Sequence, residues 1–491
     1  MTHLPPLDDP ALLRSQAYID GAWVDGGARF DVINPADNRV VGSVPNLARA
    51  ETEQAIAAAG AAFPAWSART GKERANLMRK WFDLMMASAE DLARLMTAEQ
   101  GKPLIESRGE IAYGASFIEW FAEEAKRVCG DVLASTWTNR RTVVIKQPVG
   151  VCAAITPWNF PISMITRKIA PALAAGCTIV IKPAEQTPLS ALALAELAHR
   201  AGIPRGVINV VTADADNSAT VGKVLCASPV VRHLSFTGST PVGRILMEQC
   251  APTVKRLSLE LGGHAPFIVF EDADLDAAVK GALASKYRNA GQTCVCTNRF
   301  YVHTAVYDEF VRRLADGSAR IRLGNGFDDG VMQGPLIDDA AVQKVAQHVE
   351  DAVAKGARLL TGGRLHPQLG GRFYEPTVLA DAKQDMTIMR EETFGPVSAV
   401  TRFSSDEEVI AAANDSEFGL ASYFYSRGIG RVWRVAERLQ YGMVGINTGS
   451  ISNEVAPFGG VKQSGLGREG SKYGMDEYLD IKYLCMGGID S

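Results

Sequence analysis

Along the first third of the chain, apolar residues recur at three- and four-residue spacings. ETEQAIAAAGAAFPAWS (51–67) and ERANLMRKWFDLMMASAEDLARLMTAEQG (73–101) carry this pattern, which predicts helices with one buried face. Gly101 and Pro103 are the stop signals of the second run. From about Val143 the texture changes. Short β-branched or apolar runs (VCAAI, CTIVIKP, VINVV, VVRHLSF) alternate with Ala- and Leu-rich runs such as SALALAELAHRAG and ATVGKVLCAS. That alternation predicts βαβ units and a parallel sheet. A second alternating region starts near residue 265. APFIVF and RFYVHTAV read as strands, LDAAVKGALASKYRN and VYDEFVRRLADGSAR as helices. Two α/β halves therefore meet near Gly262 and Gly263. RTVVIKQPVG (141–150) and DEYLDIKYLCMGG (476–488) fit neither half. Both read as exposed β segments that need a partner to cover their edges.

Composition narrows the class. A chain of 491 residues has room for about three ordinary domains. Hydrophobic content of 47% and charged content of 22% fit a soluble globular protein with a large core. With 55 acids against 51 bases, the net charge of −4 gives no electrostatic case for binding nucleic acid or a membrane. The first residues, MTHLPPLDDPALLRSQ, lack a basic region followed by an apolar run, so no secretory signal is expected. The longest apolar stretches, such as IAPALAAGCTIVI (169–181), are too short to span a bilayer. The cysteines show neither a disulfide framework nor a zinc-ligand spacing, so a reducing, cytoplasmic setting without a metal is expected.

The candidate chemistry lies in YRNAGQTCVCTNR (287–299) and in LSLELGGH (257–264) upstream. Cys294 sits in a small polar loop, and Glu260 stands beside a glycine pair. A reachable thiolate is a strong nucleophile. A carboxylate brought near it can act as general base. Together they predict covalent catalysis through sulfur, followed by attack of activated water.

HLSFTGSTPVG (233–243) reads as strand, glycine turn and helix, with Gly238 and Gly243 in a G-x-T-x-x-G spacing. This is close to the dinucleotide fingerprint, with Thr240 in place of the middle glycine. Helix N-terminal N–H groups and the Ser239 hydroxyl suit a pyrophosphate. IVIKPAEQTP (179–188) reads as a strand ending at Lys182 and Glu185. Those two side chains could bond ribose hydroxyls. A carboxylate accepts from a free 2′-hydroxyl and repels a 2′-phosphate, so NAD is favoured, with NADP possible.

These pieces, with TPWNFP (156–161), KPAEQTP (182–188), FTGSTPVG (236–243), LELGGH (259–264), GQTC (291–294), EETFGP (391–396) and PFGGVKQSG (457–465), resemble the aldehyde dehydrogenase superfamily over nearly the whole chain. The resemblance implies an α/β fold of three parts. A Rossmann-type NAD(P) domain is expected at 1–130 and 150–261, and an α/β catalytic domain at 262–460. A small β oligomerisation arm is expected at 131–149 and 461–491, building a homodimer or homotetramer. By motif position, Cys294 resembles the family nucleophile, Glu260 its general base, and Asn159 the side-chain half of its oxyanion hole. Trp158, Lys182, Glu185 and Ser239 resemble contacts to the adenosine and phosphates. Glu392 and Phe394 resemble contacts at the nicotinamide ribose and ring.

Within the superfamily, MITRK, YRNAGQTCVC, ISNEVAPFGGVKQSGLGREGSKYG and DEYLDIKY resemble the succinate-semialdehyde dehydrogenases. In that group two arginines and a serine hold the substrate carboxylate; by position these are Arg167, Arg288 and Ser452. Guanidinium forks suit a carboxylate, so an aldehyde with an acid at its far end is expected. The expected reaction turns succinate semialdehyde into succinate, with glutarate semialdehyde as the alternative. The C-V-C loop resembles members that close a reversible disulfide. In an extended loop Cys294 and Cys296 would point the same way, which makes Cys296 a candidate redox switch.

Overall fold

The computed structural model describes residues 4–488, so the first three and last three positions of the expected terminal segments lie outside it. An eight-stranded sheet forms one half. Its middle strands run parallel in the order Arg256–Glu260, Val231–Thr237, Val151–Ile155, Thr178–Lys182 and Ile208–Val210. Val151–Ile155 and Thr178–Lys182 are apolar and buried almost throughout, as strands covered on both faces must be. Antiparallel strands cover the edges: Gly465–Leu466 at one side, Ala17–Ile19 and Ala22–Val24 at the other.

The second half is a seven-stranded sheet. It is parallel except where Arg358–Thr361 meets Thr377–Ala380. Thr297–His303 lies at its centre between Val397–Phe403 and Ala265–Val269. The chain passes between the sheets from Glu260 to Ala265, where the hydrophobic pattern placed the junction.

The helical first third differs in detail from its periodicity. The 73–101 run is two helices, Gly71–Ala87 and Ala89–Gln100. Ser88 leaves helical geometry between them at ψ 15, although the apolar spacing continues across the break. Thr70 and Glu73 start the first with a capping box, and Gly101, at φ +90, ends the second. A further helix, Leu104–Glu124, packs on the fully buried helix Ser163–Ala175. Glu110 projects from the former, and its carboxylate accepts the Ile162 and Ser163 N–H groups at 3.0 and 3.1 Å. A negative charge at a helix N-terminus is favourable, and here it satisfies donors that water cannot reach.

The two stray β segments pair with each other. Arg140–Pro148 and Leu479–Gly487 run antiparallel in full register, and Asp131–Leu133 extends the sheet. Ile481, Tyr483 and Val132 stand exposed on it. The last strand begins at Leu479. Residues ahead of it lie against the first half, with Met475 and Tyr478 in its core.

Candidate active site

In a doubly wound sheet, ligands bind where the strand order reverses, beyond the carboxyl ends of the strands. In the first sheet that point lies between Val151–Ile155 and Val231–Thr237. The first strand leads into the loop of Trp158 and Asn159, the second into Gly238 and Ser239. Both loops line one cleft of about 310 Å³, together with Cys294, Glu392 and Phe394. Seven residues nominated from sequence thus share one cavity wall. Lys182 sits one strand over, with its carbonyl accepting the Thr156 N–H, and its ammonium meets Glu185 at 3.1 Å. Gly243 does not face the cleft. A Cβ there would lie 2.5 Å from Leu261, so its role is close helix packing.

Cys294 does not lie in an extended loop. The Cys296 N–H donates to the Thr293 carbonyl at 3.0 Å, closing a turn with Cys294 and Val295 at its centre. Residues i and i+2 therefore diverge, which corrects the geometry expected for the thiol pair. Cys294 faces the cleft. Cys296 is buried, donating to the Gly291 carbonyl at 3.1 Å with the Lys286 ammonium 3.7 Å away. Gly263 lets the Cys294 backbone come close, since a Cβ there would stand 2.4 Å from the Cys294 carbonyl. Burial pushes the Cys294 thiol up to about 12; Arg167 pulls it back, while Glu260 and Glu392 push it further.

Asn159 is held from every side. Its Nδ2 donates to the Gln292 carbonyl at 3.0 Å. Its own carbonyl accepts Lys102 Nζ at 2.7 Å and Asn289 Nδ2 at 3.0 Å. Lys102 is fully buried and pairs with Glu110 at 2.6 Å. An amide has two N–H donors. One is fixed on Gln292, and the other remains for an oxygen in the cleft.

Glu260 ends the strand Arg256–Glu260, and neither of its carboxylate oxygens has a hydrogen-bond partner among the described residues. Burial and the neighbouring Glu469 hold its carboxyl well above the usual range, against Arg167, Lys168 and Arg468. Behind it, Lys168 bonds Glu469 and, at 3.0 Å, Ser235. Arg167 Nε lies 2.5 Å from Glu469 and its guanidinium stacks 4.0 Å over Phe458. One of the two nominated substrate arginines is therefore ion-paired inside the protein.

The cofactor-side residues fit a dinucleotide. Ser239 stands at the N-cap of helix Thr240–Cys250 without capping it, which leaves the helix N-terminus open to an anion. Glu392 accepts the Gly263 N–H with one oxygen at 2.9 Å, and burial raises its carboxyl to about 7. Phe394, at φ 56, packs edge-on against Trp158 with ring centres 5.7 Å apart.

A second cavity of about 360 Å³ lies on the far side of the Cys294 turn. Thr293 and Val295, the neighbours of Cys294, line it with Arg288, Ser452 and Glu106. The Arg288 guanidinium stacks 4.7 Å from Phe160 and forms no ion pair among the described residues.

Several contributors escaped the sequence reading: Lys102, Glu110, Glu106, Lys168, Asn289, Gln292 and Glu469. Lys102 and Glu110 are separated by eight positions with no motif around them. Lys168 and Glu469 lie inside quoted motifs, but only folding brings them together. The one available signal was charge in apolar company, since Arg167 and Lys168 stand directly ahead of the apolar run IAPALAA. Among the described residues, no helix is long and apolar enough to cross a membrane, and no acid–His–Cys group could hold a metal.

Comparison with known proteins agrees with this architecture. The aldehyde dehydrogenase family profile matches residues 23–484. The glutarate-semialdehyde dehydrogenase of Pseudomonas aeruginosa is 63% identical over 98% of this chain and 100% of its own length. The NADP(+) succinate-semialdehyde dehydrogenase of Escherichia coli is 61% identical, covering 98% and 99%. The crystal structure of succinate-semialdehyde dehydrogenase from Burkholderia pseudomallei superposes with a TM-score of 0.97 at 62% identity, covering 98% and 100%. The chain belongs to the aldehyde dehydrogenase family, and its activity is NAD(P)-dependent aldehyde oxidation.

Proposed function

We propose that this enzyme oxidises a short aldehyde with a terminal carboxylate, succinate semialdehyde first, and that it favours NAD. The observation that carries the substrate reading is Arg288: a cation without an ion pair among the described residues, lining a cavity with Ser452 directly behind the Cys294 turn. A guanidinium left free by the fold is available to a ligand carboxylate.

The Cys294 sulfur attacks the aldehyde carbon as the thiol proton passes to water in the cleft. The resulting oxyanion meets the free N–H of Asn159 and the backbone N–H of Cys294. Donors fixed beforehand in such a site are each worth about 3 kcal/mol. Bound NAD(P) supplies the hydride acceptor, which leaves a thioester on Cys294. Glu260 then takes a proton from water, and the hydroxide releases the acid. Lys168 and Glu469, bonded to each other behind Glu260, tune its proton affinity.

Glu185 supports the NAD preference, because its carboxylate would repel a 2′-phosphate. The Escherichia coli relative is named for NADP(+), so the ratio of NAD⁺ to NADP⁺ rates decides between the two cofactors. Glutarate semialdehyde is the second reading, favoured by the name of the Pseudomonas aeruginosa relative. One methylene is worth only about 1–3 kcal/mol of discrimination. The exposed three-stranded sheet of Arg140–Pro148 and Leu479–Gly487 is proposed as an arm that joins two or four copies. A Cys294–Cys296 disulfide would require the turn to open and Cys296 to leave Gly291.

The test is NAD⁺ and NADP⁺ reduction with succinate semialdehyde, glutarate semialdehyde and butanal, in wild type and Arg288→Ala. Losing a charge-assisted bond of about 1.5–3 kcal/mol lowers kcat/KM for the acids by roughly 10–150-fold. Equal losses on butanal would refute the carboxylate role, and the cofactor ratio reports on Glu185.

A further inference from the structure

The second cavity contains an acid for which the proposed chemistry has no use. Glu106 stands in the first turn of helix Leu104–Glu124 and lines the same wall as Arg288. Its two carboxylate oxygens take the Asn289 N–H at 3.2 and 2.9 Å. Asn289 follows Arg288 directly and opens a left-handed run, with φ 51, 55 and 74 at Asn289, Ala290 and Gly291. Left-handed backbone is costly for residues other than glycine, so this bond ties down a strained segment.

An amide oxygen could make the same bond without a charge. The negative charge itself faces the cavity in which an anionic tail would dock. Behind it lies Lys102, already paired with Glu110. Beside it lies Arg288, which has no ion pair among the described residues. Burial pushes the Glu106 carboxyl up; Lys102, Arg288 and the Asn289 N–H pull it back, and Glu110 adds a smaller upward push.

We propose that Glu106 is a specificity-determining residue which, set beside Arg288, makes the cavity select aldehydes with a singly charged tail and reject doubly charged tails such as a phosphate monoester. The inference rests on the carboxylate-binding reading of Arg288. Glu106 and Arg288 together carry no net charge. Beyond the direct bond to Arg288 their fields largely cancel, so the pull grows little from a singly to a doubly charged tail, whereas the cost of stripping water from the tail rises with the square of its charge. A monoanion meets a small cost and makes its bonds to Arg288 and Ser452. A dianion meets about four times that cost. Removing the Glu106 charge leaves the cavity net positive, and the gain then scales with the charge on the tail.

The experiment measures kcat/KM for butanal, succinate semialdehyde and a short aldehyde ending in a phosphate monoester, at one pH and ionic strength with saturating NAD(P)⁺. Wild type, Glu106→Gln and Glu106→Asp are compared, each normalised to its own rate with butanal. In Glu106→Gln the monoanion should gain about fivefold and the dianion roughly 25-fold, the square of the first. Glu106→Asp keeps the charge and shortens the side chain that reaches Asn289, so its ranking of the three tails should match wild type. Equal normalised values in Glu106→Gln and wild type would overturn the inference, as would the same gain for both anions. If Arg288→Ala also fails to separate succinate semialdehyde from butanal, the functional reading has failed. If Arg288→Ala separates them and Glu106→Gln does not, only the role of Glu106 has failed.

Discussion

Arg167 and Arg288 carry the same guanidinium, and the same sequence argument nominates both for an anionic substrate. The fold gives them opposite settings. Arg167 is 1% exposed and shares Glu469 with Lys168. Arg288 borders a cavity and has no ion pair among the described residues. The first arginine belongs to a wired interior around Glu260. Its positive charge is fixed, bearing on Cys294 and Glu260 whatever substrate is present. The second belongs to a wall whose charge is open to the ligand. A residue's chemistry can be read from its type, but its role depends on whether another part of the chain has already claimed that chemistry.

The strongest test of the comparison is Arg167→Met. Removing one partner of a buried pair costs about 3 kcal/mol, the lower end of the usual range because Lys168 stays with Glu469. The variant should melt earlier, and its kcat/KM should fall together for butanal and succinate semialdehyde. A variant that melted like wild type and lost only the acid substrates would move Arg167 to the substrate wall and erase the contrast.

A smaller effect should appear in the pH profile. Glu260 must be ionised to take a proton from water, and burial with Glu469 raises its carboxyl well above the usual range. Thioester hydrolysis should therefore rise with pH as Glu260 loses its proton. In Glu469→Gln the repulsive charge is gone while Arg167 and Lys168 remain, so Glu260 ionises more easily and the rise should move to lower pH. Single-turnover release of product, followed across pH, checks this. An unmoved profile would mean that the interior cluster holds Glu260 in place without tuning it.

The two regions were unequally legible in the sequence. Strand and helix alternation located both sheets, because a parallel sheet buried on both faces forces continuous apolar runs. The cleft was legible because its parts, TPWNFP, FTGST and EETFGP, each stand in a loop at a strand end. The interior cluster was not, because Lys168 and Glu469 are 301 positions apart and only the fold makes them neighbours. The Cys294 turn was misread for a local reason. Period-two reasoning assumes extended backbone, and the Thr293–Cys296 hydrogen bond removes that assumption. The break at Ser88 was missed because apolar spacing reports which face is buried, and that face continues across the kink.

The smallest effect belongs to Ser452, on the same wall as Arg288. Its hydroxyl can donate one hydrogen bond to a carboxylate and contributes no charge. Ser452→Ala should therefore cost about 0.5–1.5 kcal/mol, or roughly 2–10-fold in kcat/KM, for the acids. Butanal, which presents no carboxylate there, isolates any change in the shape of the cavity. The double variant Arg288→Ala, Ser452→Ala makes the test sharper than either alone. If both side chains hold one carboxylate, removing the arginine lets the tail wander, and the serine then has little left to lose, so the two losses should not add. Fully additive losses would mean that Ser452 and Arg288 serve different parts of the substrate, and the cavity wall would divide into two sites.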